Sequence, residues 1–448
     1  MSAQSVQTNA QPVGYLPDDT PPAWKLVFFA LQQVVVMFPA TVMVALLTGF
    51  HVSTTLFASG LATLGFILIT RGRIPLYYGS SFSYIAAVAA ITGVKALGTV
   101  APDSLISQAQ CGIVASGLVS ILAGVIINRF GRDKVERVLP PVVTGSVAIV
   151  IGIALAGAAM GSASSNWTAG LITLLATILF SVYLRGTLGQ LPVLLGVAVG
   201  YLASVPMGLV DFARIGAAAA LTAPHFTFPS WSPMALLAIM PIAIATIPES
   251  TAHLYQIDLY VNNLARRLGR KKTYPIASLL GTNLIGDGIG DMIAGMIGGP
   301  AGTNYGENNS LMAITRNFSV SVLALAAVIA IGLSFLGKLA AAVSSVPGAV
   351  IGGASIYLFG VIGVQGVALM ISEKVDLFSA KNLAIASTIL VIGIGGSFAF
   401  PNGMIPAFGM KLPAIATAAI FGIILNLVFE IFPAGASAAA PAKPSGTA

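Results

Sequence analysis

GGPAGTNYGENNSLMAITR, residues Gly298–Arg316, is a polar and glycine-rich interruption in a very hydrophobic chain. It contains a carboxylate, Glu307, and two adjacent amides, Asn308 and Asn309. In lipid an unpaired backbone group costs several kcal/mol, so non-helical chain persists at membrane depth only inside protein or beside water. The stretch therefore predicts a broken transmembrane segment that is extended over Gly298–Tyr305 and becomes helical near Glu307.

The composition is that of an all-α polytopic membrane protein. The 448 residues are 56% hydrophobic and only 8% charged, whereas soluble domains carry about 25% charged residues. The net charge of +7 does not indicate nucleic acid binding, because the basic residues lie in short loops between apolar stretches. One cysteine, Cys111, and three scattered histidines (His51, His225 and His253) argue against disulfides and against a metal site. We expect no cofactor.

Apolar stretches long enough to cross a bilayer recur along the whole chain. A spanning helix needs roughly 20 apolar residues, and this rule predicts fourteen segments. The segments start near Trp24, Val52, Ser80, Gln108, Pro141, Thr168, Gln190, Pro233, Pro275, Asn308, Val320, Gly348, Asn382 and Pro413. The third and tenth are too short and too polar at their starts to be plain spanning helices.

The basic residues are distributed unevenly between the two sides of this predicted topology. With a cytoplasmic N-terminus, 17 of the 21 Lys and Arg residues fall on the cytoplasmic side and four on the other. Multi-pass membrane proteins show this positive-inside bias. The pattern predicts that both termini are cytoplasmic and that Asp211–Ser232 is an extracytoplasmic loop.

Two short motifs recur at a separation of seven segments. Tyr78–Ser80 opens the third segment as Tyr305–Glu307 opens the tenth, and Pro140–Gly145 opens the fifth as Pro347–Gly352 opens the twelfth. Seven is odd, so the two halves would insert with opposite orientation. Inverted repeats with interrupted segments are typical of secondary transporters, whose substrate site lies between the interruptions. Chance matches in a glycine-rich chain are the alternative.

Four carboxylates fall inside predicted spans or at the break: Glu249, Asp287, Asp291 and Glu307. No Lys or Arg lies deep in any predicted span, so these groups have no evident buried cation. Intramembrane carboxylates are functional-site candidates, and carboxylates of this kind can take up and release protons. Because the chain has no nucleotide-binding motif, an ion gradient or the gradient of the substrate must supply the energy.

Two pairs of titratable residues have helical spacing. Glu249 and His253 lie four residues apart, hence on one helix face, where they can share a proton. The alternative is that His253 lies near the cytoplasmic end and faces water or headgroups. Asp287 and Asp291 also share a face. They either couple or gate transport, or they hydrogen-bond the backbone of a glycine-rich helix.

The two interruptions together predict a crevice with acceptors and donors. A helix that starts near Glu307 leaves backbone NH groups free, and the break before Ser81 and Phe82 offers NH groups from the opposite side. The aromatic rings of Phe82 and Tyr305 lie nearby in sequence. A planar, neutral, amide-rich ring fits this array. Recognition of a sugar would require more side-chain hydroxyl groups and amides, and recognition of a simple anion would require Arg or Lys.

At these residues the chain resembles the nucleobase–ascorbate transporter family, the xanthine/uracil permeases, and within it the bacterial uracil permeases. The motifs TNYGENNSLMAITR (Thr303–Arg316) and IPLYYGSSFSYI (Ile74–Ile85), with the pair Glu249 and His253, carry the resemblance, which covers about 25–432. It implies a 7+7 inverted repeat with short antiparallel strands that break segments 3 and 10. Glu at position 307 is typical of uracil-type members, whereas purine-type members usually have Gln.

The resemblance also implies a division into domains, of which the gate domain commonly mediates a homodimer. The expected parts are a cytoplasmic N-terminal tail 1–23, a core domain 24–138 (segments 1–4) and 233–338 (segments 8–11), a gate domain 139–232 (segments 5–7) and 339–432 (segments 12–14), and a disordered C-terminal tail 433–448.

Site roles follow from the match to uracil permeases. The resemblance implies that Glu249 holds the ring NH groups and that the backbone NH groups of Phe82 and Gly306 hold the ring carbonyls. Glu307 would contact the ring, and His253 would take part in proton coupling. Ser81 and Tyr305 are candidate accessory residues.

Three further positions bear on the resemblance. Asp287 matches a carboxylate that purine-transporting members also need. Gln33 stands where the family often has His, so that position can hydrogen-bond but cannot titrate. Ser310 stands where Gly is typical and would narrow the crevice.

We therefore expect a secondary active transporter of a bacterial inner membrane rather than an enzyme. It would import uracil or a related nucleobase by proton symport with alternating access. The alternatives are a purine symporter of the same family for xanthine, urate or adenine, an anion carrier or channel on the same scaffold, and, more remotely, an intramembrane enzyme that uses the paired aspartates.

Overall fold

The computed structural model describes residues 14–94, 98–131, 137–407 and 410–432, and these residues are mostly helical. The predicted tail 433–448 lies outside the described residues. In chain order the helices are α1 (Ala23–Thr48), α2 (Val52–Ile69), α3 (Ile85–Thr92), α4 (Asp103–Phe130), α5 (Pro141–Ala154), α6 (Ala156–Ala163), α7 (Trp167–Tyr183), α8 (Pro192–Ser204), α9 (Phe212–Ala217), α10 (Pro233–Ile239), α11 (Ala243–Arg267), α12 (Leu280–Ile297), α13 (Gly306–Thr315), α14 (Val320–Leu333), α15 (Gly337–Ser344), α16 (Gly348–Ser372), α17 (Ala380–Leu390), α18 (Gly396–Ala399) and α19 (Ala414–Ile431). The strands are β1 (Tyr78–Ser80), β2 (Gly302–Asn304), β3 (Met404–Ala407) and β4 (Met410–Pro413).

The described chain is a multi-pass membrane protein by the length and composition of its helices. It contains 8 helical stretches long and apolar enough to cross a membrane. One of them, Pro141–Tyr183, has 43 residues, enough for two crossings of roughly 20 residues each. Leu171, Leu175 and Leu179 form an exposed apolar row on α7, as lipid contact or subunit contact requires. The expected total of fourteen segments stays a prediction.

Two short strands replace helix at the two predicted interruptions, which confirms that prediction. Strand β1 pairs antiparallel with β2 in the register Tyr78 with Asn304 and Ser80 with Gly302. Both strands are buried. The backbone NH of Tyr305 donates to the carbonyl of Tyr77 at 3.0 Å, so the pairing continues past the strand end. The backbone NH and carbonyl groups of the extended chain are thereby hydrogen-bonded inside the protein, as backbone at membrane depth requires.

Glycine is required where β1 passes the ring of Tyr305. A Cβ atom at Gly79 would lie 2.3 Å from this ring, and such a contact can be relieved only by moving the ring or the strand. After β1 a short 3₁₀ turn, Phe82–Tyr84, leads into α3. After β2, α13 begins at Gly306. The helical restart predicted near Glu307 is therefore confirmed within one residue.

The helices pack in two groups. Helix α12 packs against α2 and α4, α2 also packs against α14, and the strands β1 and β2 lie against α2 and α12. In the second group α5, α7 and α8 pack with α16, and α17 packs with α19. Close approach depends on small residues. A Cβ at Gly117 of α4 would lie 2.4 Å from the carbonyl oxygen of Gly288 on α12, and one at Gly152 of α5 would lie 2.5 Å from the backbone nitrogen of Gly363 on α16. The domain boundaries themselves stay a prediction.

Several short elements were not expected from hydropathy. The stretch predicted as the loop Asp211–Ser232 contains α9, α15 follows the last turn of α14, and β3 pairs with β4 in a hairpin. The backbone of Leu221 also pairs with Leu336 in an isolated bridge. These elements are too short to produce an apolar run of their own.

Residues 14–22 of the predicted N-terminal tail are fastened to the helices. Tyr15 forms an isolated parallel bridge with Asn317, just after α13. The side chain of Leu16 is fully buried in the main apolar core. This segment therefore belongs to the folded part of the molecule.

Candidate functional site

Glu249 lies beside the turn that follows β1. Its Oε2 accepts a hydrogen bond from Ser83 Oγ at 3.2 Å, and both side chains are half-buried. Pro248 precedes it inside α11, and a proline within a helix removes one backbone hydrogen bond and favours a local bend. Among the described residues the carboxylate therefore has one neutral hydrogen-bond donor.

Ser83 was not predicted as a site residue, whereas its neighbour Ser81 was. The structure gives Ser81 a local role: its buried Oγ accepts from the backbone NH of Ser83 at 3.2 Å and caps the 3₁₀ turn. The backbone NH of Ser81 already donates to the carbonyl of Ala301 at 3.0 Å. Of the two serines, it is thus Ser83 whose hydroxyl faces Glu249.

His253 lies one turn beyond Glu249 on α11, against the start of α13. Its Nε2 is 2.8 Å from the position that a Cβ at Gly306 would occupy. Its Nδ1 is buried and has no hydrogen-bond partner among the described residues. The imidazole is therefore beside the strand break, and the alternative in which it faces headgroups at the helix end does not fit this geometry.

Glu307 opens the first turn of α13, and its side chain is exposed to open space. The NH of Asn309 donates to the carbonyl of Tyr305 at 3.3 Å. The NH groups before it, those of Gly306, Glu307 and Asn308, have no partner within the helix by its geometry. The half-buried ring of Phe82 follows β1 on the other side of the strand pair.

Tyr305, a predicted accessory residue, is part of the packing behind the break. Its side chain is buried, and its hydroxyl group is 2.8 Å from Thr41 Oγ1 on α1. Its ring stacks on that of Tyr77 with centroids 6.5 Å apart. In this structure the residue shapes the strand crossing and does not line the open space in front of Glu307.

Asp291 connects the two strands. Its Oδ1 accepts from Tyr78 Oη at 2.5 Å, on β1, and from the backbone NH of Gly302 at 2.7 Å, on β2. The carboxylate is buried. This geometry agrees with the alternative in which the residue hydrogen-bonds backbone instead of acting on a substrate.

Asp287 lies behind the site in a buried polar network. Ser250 donates a hydrogen bond to Asp287 Oδ2, and Ser250 Oγ in turn accepts from Asn283 Nδ2 at 2.7 Å. Asn304, on β2, donates to Ser250 Oγ at 3.3 Å and to Asn283 Oδ1 at 3.1 Å. Because Ser250 follows Glu249 directly in sequence, this network holds α11, α12 and β2 in fixed positions behind the carboxylate.

The adjacent amides Asn308 and Asn309 hold α13 on two sides. Asn308 Nδ2 donates to Gln33 Oε1 at 2.7 Å and to the Gln33 carbonyl at 3.1 Å. Asn309 Nδ2 donates to Gln256 Oε1 at 3.4 Å. Gln33 is buried, so the position where the family often has His here supplies an acceptor to α13. Ser310 is half-buried on the same helix, and its effect on the crevice stays a prediction.

The site residues that sequence reasoning missed are polar side chains next to the predicted ones. Ser83, Ser250, Asn283 and Asn304 lie within the predicted spans or at their breaks, and their polarity at membrane depth was the available signal. The ion pairs of Arg270 with Asp19, Lys272 with Asp18 and Lys381 with Glu430 all lie outside this site. Among the described residues neither Glu249 nor Glu307 forms an ion pair with Lys or Arg, which suits a neutral ligand with NH groups.

Comparisons with known proteins agree on a transport family. The family model of the xanthine/uracil permeases, described as "Permease family", matches residues 24–402. The uracil permease of Bacillus caldolyticus is 39% identical over 428 residues, which are 92% of this chain and 93% of that protein. The uracil permease of Bacillus subtilis (strain 168) is 37% identical over 430 residues, 92% and 94% of the two chains. That of Escherichia coli (strain K12) is 34% identical over 425 residues, 92% and 93%. Permeases are transporters and not enzymes.

Two solved structures share the fold. The transmembrane domain of the cyanobacterial bicarbonate transporter BicA has a TM-score of 0.52 at 14% identity, over 90% of this chain and 96% of that chain. The murine anion transporter Slc26a9, in the inward-facing state, has a TM-score of 0.59 at 11% identity, over 96% and 73%. At these identities the likeness concerns the fold alone.

Proposed function

Because the chain belongs to the xanthine/uracil permease family, we propose that it is a nucleobase transporter that imports uracil together with protons. The observation that carries the proposal is the position of Glu249, half-buried beside the strand break, where Ser83 is its one neutral donor in the described part of the chain. Relatives named uracil permeases, 34–39% identical over 92% of the chain, support the same substrate.

The ring of uracil presents NH groups and carbonyl groups at its edge. A site can select it by placing hydrogen-bond acceptors opposite the NH groups and donors opposite the carbonyl groups. In this proposal Glu249 accepts from the ring NH groups, and the backbone NH groups of Phe82 and Gly306 donate to the ring carbonyls. Glu307 is a second acceptor on the open side, and the ring of Phe82 packs against the face of the base. A few well-placed polar groups in apolar surroundings are typical of small-molecule sites.

Proton coupling is assigned to the same helix. Glu249 and His253 lie one turn apart on α11, and His253 lies beside Gly306, a proposed ligand of the base. A proton taken up by this pair would therefore act on both sides of the bound ring. Each imported base would carry a proton with it, and release of the base would follow loss of that proton to the cytoplasm.

The proposed transport cycle uses the expected architecture. Fourteen segments form a 7+7 inverted repeat, and the core domain (24–138 and 233–338) moves against the gate domain (139–232 and 339–432) to expose the site alternately. The gate domain forms a homodimer, and both termini face the cytoplasm of a bacterial cell. The support for this is the pairing of β1 with β2 across the two halves of the chain and the asymmetry of the basic residues.

An anion as substrate is not favoured, although two structures of similar fold belong to anion transporters. A similar fold does not imply a similar substrate. The site carboxylates Glu249 and Glu307 would repel an anion, and no Lys or Arg among the described residues pairs with them.

The decisive experiment is ligand-induced thermal stabilisation of the purified protein. Uracil, thymine, xanthine, urate, adenine and ascorbate are compared, because a ligand that binds only the native state raises its stability by mass action. We expect stabilisation by uracil and none by the purines. Stabilisation by a purine alone would be consistent with the family but would contradict uracil as the substrate. Proton uptake by proteoliposomes on addition of uracil then tests the coupling.

A further inference from the structure

Three side chains that can bind metals meet outside the strand crossing, at the ends of two helices. His51 precedes α2, Asp103 is the first residue of α4, and His225 belongs to the stretch between α9 and α10. One ligand atom from each lies within 4.8 Å of the other two. His225 Nε2 is 2.8 Å from Asp103 Oδ2, and His51 Nε2 is 3.7 Å from Asp103 Oδ1.

The histidines are far apart in the sequence, but two of them are close together in the structure. The chain has only 3 histidines, and the fold brings two of them to the same carboxylate. Their rings lie 4.4 Å apart between centroids. The third histidine, His253, belongs to the candidate substrate site. Separation along the sequence gave no sign of the cluster, because its members come from three different elements.

Both histidine ligands are held by structured neighbours. His51 immediately precedes the first turn of α2, where its carbonyl accepts from Thr55 N at 2.9 Å. The carbonyl of His225 accepts from Thr54 Oγ1 at 2.6 Å, which ties its backbone to the same helix. The next residue, Phe226, packs edge-on against Phe57 at 5.1 Å. Ligands on fixed backbones form a site with little loss of conformational freedom.

The donor set selects a class of metal ion. Two imidazoles and one carboxylate are typical of zinc sites with three protein ligands and one open position, whereas magnesium and calcium prefer oxygen ligands alone. Bonds of 2.0–2.2 Å in a tetrahedral arrangement separate neighbouring ligand atoms by about 3.4 Å. The observed separations, 2.8 Å from His225 Nε2 to Oδ2 of Asp103 and 3.7 Å from His51 Nε2 to Oδ1, lie on either side of that value. A bound metal ion would replace the direct hydrogen bond between His225 and Asp103.

Two further observations indicate a ligand. His51 Nε2 is shut off from solvent and has no hydrogen-bond partner among the described residues. The side chains of Asp103 and His225 are 57% and 52% exposed, so an ion has an entry path and a water molecule can complete its coordination. We propose that His51, Asp103 and His225 form a binding site for Zn²⁺ or a similar divalent transition metal.

The bound metal would fasten the stretch that carries His225 onto α2 and α4. Farther along this stretch, Thr227 Oγ1 donates to Gln110 Oε1 at 2.8 Å, and Gln110 Nε2 donates to the carbonyls of Thr227 at 2.8 Å and Gly295 at 2.6 Å. Gly295 lies in the last turn of α12, shortly before β2. The metal would therefore stabilise the stretch that supports the entry into the strand crossing.

The test is metal binding to the purified, metal-stripped protein carrying a tag without histidine. We expect one equivalent of Zn²⁺ to bind and to raise the melting temperature. His51→Ala and His225→Ala should each weaken binding by at least about tenfold and abolish the thermal shift. His225→Cys, which restores a zinc ligand, should recover binding. Bound Co²⁺ should show the intense visible absorption of a four-coordinate site.

Asp211→Asn is the matched control, because it removes an exposed carboxylate from the same predicted loop while leaving the cluster intact. It should bind Zn²⁺ like the wild type. All variants are first compared by elution profile and circular dichroism, so that loss of fold is recognised. Failure of the folded wild type to bind Zn²⁺, or unchanged binding in both alanine variants, would overturn the proposal.

Discussion

Glu249 is the residue on which the proposed chemistry depends. It is half-buried, accepts a hydrogen bond from Ser83 alone among the described residues, and lies one turn before His253. A carboxylate can accept hydrogen bonds from two ring NH groups, whereas a carboxamide of the same shape would point its NH₂ group at one of them. The proposal therefore makes the acceptor character of this side chain decisive.

Glu249→Gln should weaken uracil binding by at least about tenfold, since a hydrogen bond to a charged group contributes about 1.5–3 kcal/mol. Calorimetric titration of the purified variant measures this. Glu430→Gln is the control, because Glu430 pairs with Lys381 away from the strands and its loss should leave the affinity unchanged. Wild-type affinity in the Glu249 variant would show that the base binds elsewhere.

His253 allows binding and coupling to be separated at the residue scale. His253→Ala removes a titratable ring beside Gly306 but none of the proposed hydrogen bonds to the base. We expect uracil accumulation driven by a pH gradient to fall several-fold more than exchange of labelled for unlabelled uracil in proteoliposomes. Equal loss of both activities would remove the special role of His253 in coupling.

At the scale of elements, the strand pair is the feature that holds the site together. Asp291 accepts from both strands, and Asn308 and Asn309 fasten α13 to α1 and α11. Strands of three residues have too few backbone hydrogen bonds to persist alone. Side-chain acceptors on the neighbouring helices therefore supply the missing stabilisation and fix where α13 begins.

Gly79→Ala should destabilise this crossing, because the added Cβ would meet the ring of Tyr305 at 2.3 Å. Overpacking of a well-packed core typically costs about 1–3 kcal/mol, so we expect a lower melting temperature and weaker uracil binding. Gly161→Ala on α6 is the matched control, since nothing lies within 4 Å of its added Cβ and alanine favours helix. A wild-type melting temperature for Gly79→Ala would contradict the assigned packing.

At the scale of the whole molecule, the N-terminal segment ties distant parts of the chain together. Asp18 accepts from Lys272 Nζ at 2.6 Å and from Tyr274 Oη at 2.5 Å, beyond the end of α11. The neighbouring Tyr15 pairs with Asn317 after α13. The segment thus connects the helix of Glu249 with the helix of Glu307 on the side away from the strands.

This connection predicts a pH dependence of stability. Burial alone would raise the pKa of Asp18, but hydrogen bonds from Lys272 and Tyr274 outweigh it and lower the pKa below the ordinary 3.8. A carboxyl group whose pKa is lower in the folded protein stabilises it above its unfolded pKa, and the contribution is lost as the pH falls through the folded pKa. Because the pair is half-exposed, the contribution is at most about 1 kcal/mol.

Asp18→Asn should therefore lower the melting temperature slightly at neutral pH, and the difference from wild type should vanish at a pH well below 3.8. Thermal unfolding in detergent over a pH series measures this. Glu373→Gln, at an exposed carboxylate after α16, should match the wild type throughout. A difference between Asp18→Asn and wild type that persists at the lowest pH would exclude the ion pair as its cause.

The sequence alone determined what depends on local order. Hydrophobicity identified a polytopic membrane protein, and the interruptions at Tyr78–Ser80 and Gly298–Tyr305 located β1 and β2, because backbone that leaves the helix inside a membrane needs special residues. The spacing of Glu249 and His253 placed them on one helix face. The motif around Glu307 identified the family, which the comparisons confirm.

Only the tertiary structure decided what depends on contacts between distant segments. In the structure Ser83 donates to Glu249, and Asp291 accepts from the strands. The hydroxyl group of Tyr305 contacts Thr41 behind the break, and the ring of His51 lies against that of His225. None of these contacts follows from periodicity, because a helix or strand pattern fixes which face a residue occupies but not which residue faces it across the interface. Packing of the helices around the strand pair supplied that information.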